Sequence, residues 1–147
     1  EQLIARSRKL ADEPLVALEH FIDDWFRLLL EDRWYRQSFE ILLNMTELTA
    51  QMASTLKRER KLTRDMVQLL EALVERSQQT PGTGNCQSPR SLALLLYSSL
   101  MGITHTWLLS PKLFSLREQT PFMASNLLAL MTSHAPSSVT SQASEGA

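Results

Sequence analysis

Residues 92–109 read LALLLYSSLMGITHTWLL, the most apolar stretch of the chain, and what covers it decides the fold. Its length is close to the ~20 residues that cross the hydrocarbon core of a bilayer. Ser98, Ser99, Thr104, His105 and Thr106 are costly in lipid, however, and no other segment resembles a second span. A helix that is apolar all round in a water-soluble protein is one buried on two sides. Projected at about 3.6 residues per turn, Leu96, Tyr97, Leu100, Met101 and Thr104 share one face, while Leu95, Ser98, Ser99, Gly102, Thr106 and Leu109 fall toward the other. Glycine inside a helix costs about 1 kcal/mol against alanine, which at Gly102 points to the close approach of another helix. One face is left for the core and the other for a second subunit.

Working outward, Ser88-Pro89 starts this helix, with Ser as cap and Pro at the first helical position. Before it, Gln79 to Gln87 (QTPGTGNCQ) reads as a surface loop. Glu47 to Gln78 contains neither Gly nor Pro and carries Leu and Met at mostly helical spacing, so one long helix is expected, with room for a bend near its charged middle. Asp32 opens a short helix bearing Trp34, Tyr35, Phe39, Leu42 and Leu43 that ends near Asn44. Asp12, capping free N–H groups ahead of Pro14, starts a helix running to about Leu30, whose stripe Leu15, Leu18, Ile22, Trp25, Phe26 and Leu29 is core. Leu3 to Leu10 reads as the tail of a helix entering from upstream. After the quoted stretch, Ser115 and Glu118 form a capping box for a final helix, which Pro121 kinks or starts afresh. Residues 134–147 contain nothing able to anchor them and are expected to be disordered.

A chain of 147 residues is the size of one domain, and four glycines with six prolines leave little material for hairpins. The expectation is an all-α bundle of about six helices. The formal charge of -1 gives no global attraction to nucleic acid or anionic lipid. A lone cysteine, Cys86, cannot close an intrachain disulfide, which with the absence of a secretion signal points to the cytoplasm. The missing initiating Met suggests a chain that begins inside a longer product.

Catalysis needs convergent polar groups, and no nucleophile elbow, phosphate-cradling glycines or metal spacing is present. His20, His105 and His134 lie on different elements, and the adjacent carboxylates Asp23-Asp24 and Glu31-Asp32 point about 100° apart on a helix. No enzyme, catalytic residue, metal or cofactor is expected. Lys57, Arg58, Arg60, Lys61 and Arg64, interrupted by Glu59 and Asp65, read as a solvated helix middle spread around the axis. The inward faces are rich in large adaptable groups, Trp25, Phe39, Met45, Met66, Tyr97 and Met101, which suit either ordinary packing or a cavity for hydrophobic small molecules.

Gly102, four residues, Trp107-Leu108, two residues, Pro111, then a linker with Phe114 and Leu116 and a closing helix, resembles the end of TetR-family transcriptional repressors of the AcrR and TtgR type. Asp12-Glu13-Pro14-Leu15 is similar to the entry of that family's fifth helix, and Arg36 with Glu40-Ile41-Leu42 and Glu47 to the end of its sixth. The resemblance covers about residues 1–133 and implies an effector-binding and dimerisation domain, with 1–11 the tail of a linking helix and 88–133 the dimerisation helices.

The resemblance further implies repression of multidrug or solvent efflux genes, relieved by a hydrophobic effector of the drug, solvent or flavonoid class. The cavity it implies is lined by Ile4, Ile22, Trp25, Phe39, Leu43, Met66, Leu70, Leu96, Tyr97, Leu100 and Met101, apolar at 39, 43 and 101 where several relatives are polar. It implies a homodimer through Leu95, Ser98, Ser99, Gly102, Thr106, Leu109, Phe122, Asn126 and Leu130, an isologous four-helix contact. Family members carry an N-terminal helix-turn-helix domain unlike anything in these residues, so contact with an operator is expected only through such a domain. The alternative from another class is a stand-alone helical interaction module that dimerises, binds no ligand and interferes with a full-length relative.

Overall fold

The computed structural model describes residues 2–10, 12–43, 50–80 and 87–132. These form six helices and no strand: α1 (Gln2–Lys9), α2 (Pro14–Glu31), α3 (Arg33–Leu43), α4 (Ala50–Gln78), α5 (Pro89–Leu109) and α6 (Leu116–Thr132). The expected fold class and helix order are those observed. Residues 44–49, 81–86 and 133–147 lie outside the described part, and with them Met45, Glu47, Cys86, His134 and the expectation for the tail.

The helices start where local chemistry provides for their free N–H groups. Asp32 accepts from the backbone N–H groups of Trp34 (2.9 Å) and Tyr35 (3.1 Å) at the head of α3. Ser88 accepts from Ser91 N–H at 3.4 Å with Pro89 at the first helical position of α5, and Ser115 accepts from Glu118 N–H at 3.3 Å before α6. The expected cap at Asp12 is corrected: the residue before α2 is Glu13, without a side-chain cap bond. Pro14 already lacks one of the donors a cap would satisfy, and Asp12, fully in solvent, pairs instead with Arg76 at 3.7 Å. Pro121 lies inside α6 and does not begin a new helix.

The core gathers on α2, whose Ala17, Leu18, Phe21, Ile22, Trp25, Phe26, Leu28 and Leu29 are all buried. Helices α1, α3, α4, α5 and α6 each contact α2, while α5 also lies against α4, α6 and α3. Burying a large apolar side chain contributes about 1.5–3 kcal/mol, so the fully enclosed Phe21, Trp25 and Phe26 are among the largest single stabilisers. Trp34, one of the apolar residues of α3, is instead 80% exposed.

Polar links fix the outer helices. Asp24 of α2 receives Arg6 of α1 (3.2 Å) and Arg27 (2.6 Å). Burial opposes ionisation of this carboxyl, but hydrogen bonds from the two guanidinium groups outweigh it and hold Asp24 below the usual carboxylate range. Arg90 at the start of α5 pairs with Glu71 of α4 at 2.8 Å.

Helix α5 is long and apolar enough to cross a membrane by length and composition alone. Its residues Leu92, Ala93, Leu96, Leu100 and Thr104 are buried in the protein interior. Among the described residues, a Cβ built on Gly102 meets nothing within 4 Å, so none of the six helices makes the close approach expected there.

Candidate functional site

Trp25 is the hub of an aromatic cluster. Around its ring stand Phe21 (6.1 Å between centroids), Tyr35 (6.2 Å, interplanar angle 89°), Phe39 (5.5 Å) and Tyr97 (6.1 Å, 86°). Edge-to-face pairs of this kind add to the value of burial alone. The Trp25 indole N–H donates to the Thr104 hydroxyl at 3.0 Å, and that hydroxyl donates to the Leu100 carbonyl at 2.8 Å. The hydroxyls of Tyr97 and Thr63 share a hydrogen bond of 3.1 Å. Burial pushes the Tyr97 phenol above its ordinary value against the pull of that bond, and pushes Tyr35 further still.

Beside the cluster opens a cleft of about 400 Å³. Its apolar walls are Leu3 of α1, Leu28 of α2, Tyr35, Phe39 and Leu42 of α3, and Leu62 and Met66 of α4; Asp32, Ser38, Arg58 and Glu59 supply its polar groups. Of the residues expected to line a cavity, Phe39 and Met66 do so. Ile22, Trp25, Leu70, Leu96 and Leu100 are 0–1% exposed and form filled core next to it, with Tyr97 and Met101 packed against that core. Ile4 is buried with an edge on a groove of about 320 Å³ between α1 and α4. The side chain of Leu43 lies outside the described part. Sequence reasoning did not single out Leu3, Leu28, Tyr35, Leu42 or Leu62 for the cleft. Residues 35, 39 and 42 recur at the four- and three-residue steps of one helix face, as do 62 and 66, which was the available signal.

A second concavity lies on the opposite face of α5. Ser99, Gly102, Ile103 and Thr106 of α5 and Phe122, Met123, Asn126 and Leu127 of α6 enclose, with Phe114, an apolar groove of about 540 Å³. It brings together Ser99, Gly102, Thr106, Phe122 and Asn126 from the expected subunit contact. Ser98 is exposed, and around the groove Leu95 (46%), Leu109 (73%), Phe122 (66%) and Leu130 (45%) expose large apolar surface.

The basic residues of α4 depart from the expectation that they spread around the helix. Lys57, Arg58, Arg60, Lys61 and Arg64 all border one shallow depression together with Asp65, and Lys61 pairs with Asp65 at 2.7 Å. His20 and His105 are exposed. Among the described residues no group of three His, Cys, Asp or Glu side chains is placed to hold a metal ion.

Over residues 13–133 the chain matches the C-terminal region of the MAATS-type transcriptional repressors, a TetR-family class. It belongs to this family. Comparison with curated proteins gives no match. The matched span takes in α2 to α6, and therefore most of the walls of both concavities. In this MAATS-type region two residues that carried the resemblance, far apart in the chain, meet: the Arg36 guanidinium lies over the Trp107 ring, 6.0 Å from its centroid. That contact ties α3, which forms one wall of the cleft, to the end of α5, which forms one wall of the groove.

Proposed function

We propose that this chain is the effector-sensing and dimerisation domain of an AcrR-like, cytoplasmic repressor of multidrug or solvent efflux genes. The effector is a hydrophobic small molecule of the drug, solvent or flavonoid class, and it enters the cleft between α1, α2, α3 and α4. That cleft carries the reading, since its volume and its mostly apolar, aromatic and Met-bearing walls with a few polar groups are what a small-molecule site needs. Two copies associate through the exposed apolar face of α5 and α6. DNA contact belongs to a helix-turn-helix unit and not to these helices.

The test is a thermal-shift and calorimetric screen of the 147-residue chain against planar hydrophobic antibiotics, aromatic solvents and flavonoids. A ligand that binds only the native state raises its stability. The expected result is a rise in melting temperature that Phe39→Asp or Met66→Arg abolishes; no shift with any compound overturns the sensor. One observation favours a second reading. Ile22, Trp25, Leu70, Leu96 and Leu100 fill the space between α2, α4 and α5, as in a packed interaction module that dimerises without a ligand. A stable dimer that no compound shifts is the outcome that module predicts.

A further inference from the structure

Tyr35 differs from the polar groups around it. Among the described residues its hydroxyl is the one buried side-chain polar atom without a hydrogen-bond partner. Its neighbours in the cluster are provided for: the Trp25 N–H by Thr104, the Thr104 hydroxyl by Leu100, and the Tyr97 hydroxyl by Thr63. A buried O–H left unpaired has given up its bonds to water for nothing, and folded proteins hold few such groups.

The position of this group ties it to the cleft. Tyr35 is one of the residues that line the cleft, and its ring stands beside that of Phe39, another lining residue, at 5.1 Å between centroids and 74°. The Trp25 ring meets it edge-on, so packing and not a hydrogen bond holds the phenol in place. Burial keeps Tyr35 protonated across the physiological range, which leaves it a donor. The nearest carboxylate in its own helix turn, Asp32, is already occupied by the backbone N–H groups of residues 34 and 35.

We propose that Tyr35 is the specificity-determining residue of the cleft, donating its hydroxyl hydrogen to the carbonyl oxygen of an otherwise apolar, aromatic effector. The inference rests on the effector reading and names the ligand chemistry of that same site. Because the hydroxyl is closed off from solvent, the ligand reaches it when side chains of the cleft wall around Tyr35 move aside. A hydrocarbon of the same shape fills the same volume but leaves the phenol unpaired, so the site discriminates between the two.

Two near-isosteric probes test this: benzophenone, which carries the carbonyl, and diphenylmethane, which does not. Calorimetric titration of the wild-type chain is expected to show benzophenone binding about tenfold tighter, the worth of roughly one hydrogen bond. Tyr35→Phe is expected to bind both alike, through loss of affinity for benzophenone alone. Equal binding by the wild-type chain, or a preference that survives Tyr35→Phe, overturns the selector while leaving the cleft an effector site. Binding of neither probe overturns the selector, and it removes the effector reading with it when the wider screen is also silent. A second measurement needs no ligand: Tyr35→Phe is expected to melt at a higher temperature than the wild type, because it deletes an unpaired group. A lower melting temperature means that a bound water or another group already satisfies the hydroxyl, and overturns the proposal.

Discussion

The indole N–H of Trp25 and the hydroxyl of Thr104 are joined at 3.0 Å inside the core, tying the central helix α2 to α5. Both residues are 0% exposed, so neither can turn to water if the other is removed. The Thr104 hydroxyl spends its own hydrogen on the Leu100 carbonyl, which leaves its oxygen as the acceptor for Trp25. Thr104→Val keeps the shape and leaves the indole unpaired, at an expected cost of about 1–3 kcal/mol. Urea melts of Thr104→Val and Thr104→Ser check this. The serine variant should retain most of the stability, and a valine variant as stable as the wild type would show that the bond contributes nothing.

The pairing of Asp24 with Arg6 and Arg27 makes part of the stability pH-dependent. The folded-state pKa of Asp24 lies below its unfolded value, so the unfolded chain takes up a proton first as the solution is acidified. The contribution is complete above the unfolded value of about 3.9 and is lost as pH falls through the lower folded value. The arginines are about half exposed, which holds the contribution to roughly 0.5–1 kcal/mol. In thermal melts against pH, Asp24→Asn should be less stable than wild type at neutral pH and close to it in acid. A gap that stays constant down to the lowest pH contradicts the pairing.

At the alkaline end the tyrosines act in the opposite direction. The chain has two, Tyr35 and Tyr97, and burial raises both above the ordinary phenol value. Above the unfolded value of about 10 the unfolded chain loses protons that the folded one keeps, so stability falls as pH rises from there. Spectrophotometric titration should show no tyrosinate band in the folded protein where the denatured chain already ionises. The band should then appear together with unfolding. A phenol that ionises at its ordinary pH in the folded chain is open to water, contrary to its position here.

Gly102 separates the stability of one chain from its association with another. Since its Cβ position is open among the described residues, Gly102→Ala should be tolerated and should stabilise a single chain by up to about 1 kcal/mol through helix propensity. If two copies close over the α5–α6 groove at this point, the same methyl group weakens the dimer, and Gly102→Trp yields monomer or aggregate. Light scattering over a dilution series reads association, and thermal melts read the fold. A clean Gly102→Trp dimer rules out this face as the subunit contact.

Much of the fold was legible because its signals are local. Pro14, Asp32, Ser88-Pro89 and Ser115 mark helix starts within a few residues of where they occur, and the stripe on α2 needs nothing beyond helical periodicity to be read as core. That Ser99, Gly102 and Thr106 would border one groove was legible for the same reason, since they share one side of α5. The cleft was legible only in part. Inward-facing periodicity is the same for a residue that fills the core and one that borders a gap, so Phe39 and Met66 could not be told from Ile22, Leu70 or Leu100.

The sequence by itself determined a bundle of about six helices, their order, the apolar stripe of α2 and the two faces of α5, and the resemblance to a repressor family, because capping, periodicity and ordered landmarks are properties of neighbouring residues. Tertiary structure alone decided that α1, α2, α3 and α4 leave a space where Leu3, Tyr35 and Leu62 converge. It also decided that the Thr104 hydroxyl meets the Trp25 N–H while the Tyr35 hydroxyl has no hydrogen-bond partner among the described residues. Whether a buried polar atom finds a partner, and whether apolar faces meet without a gap, depends on how separate helices are placed against one another in space, and no spacing along a chain encodes that.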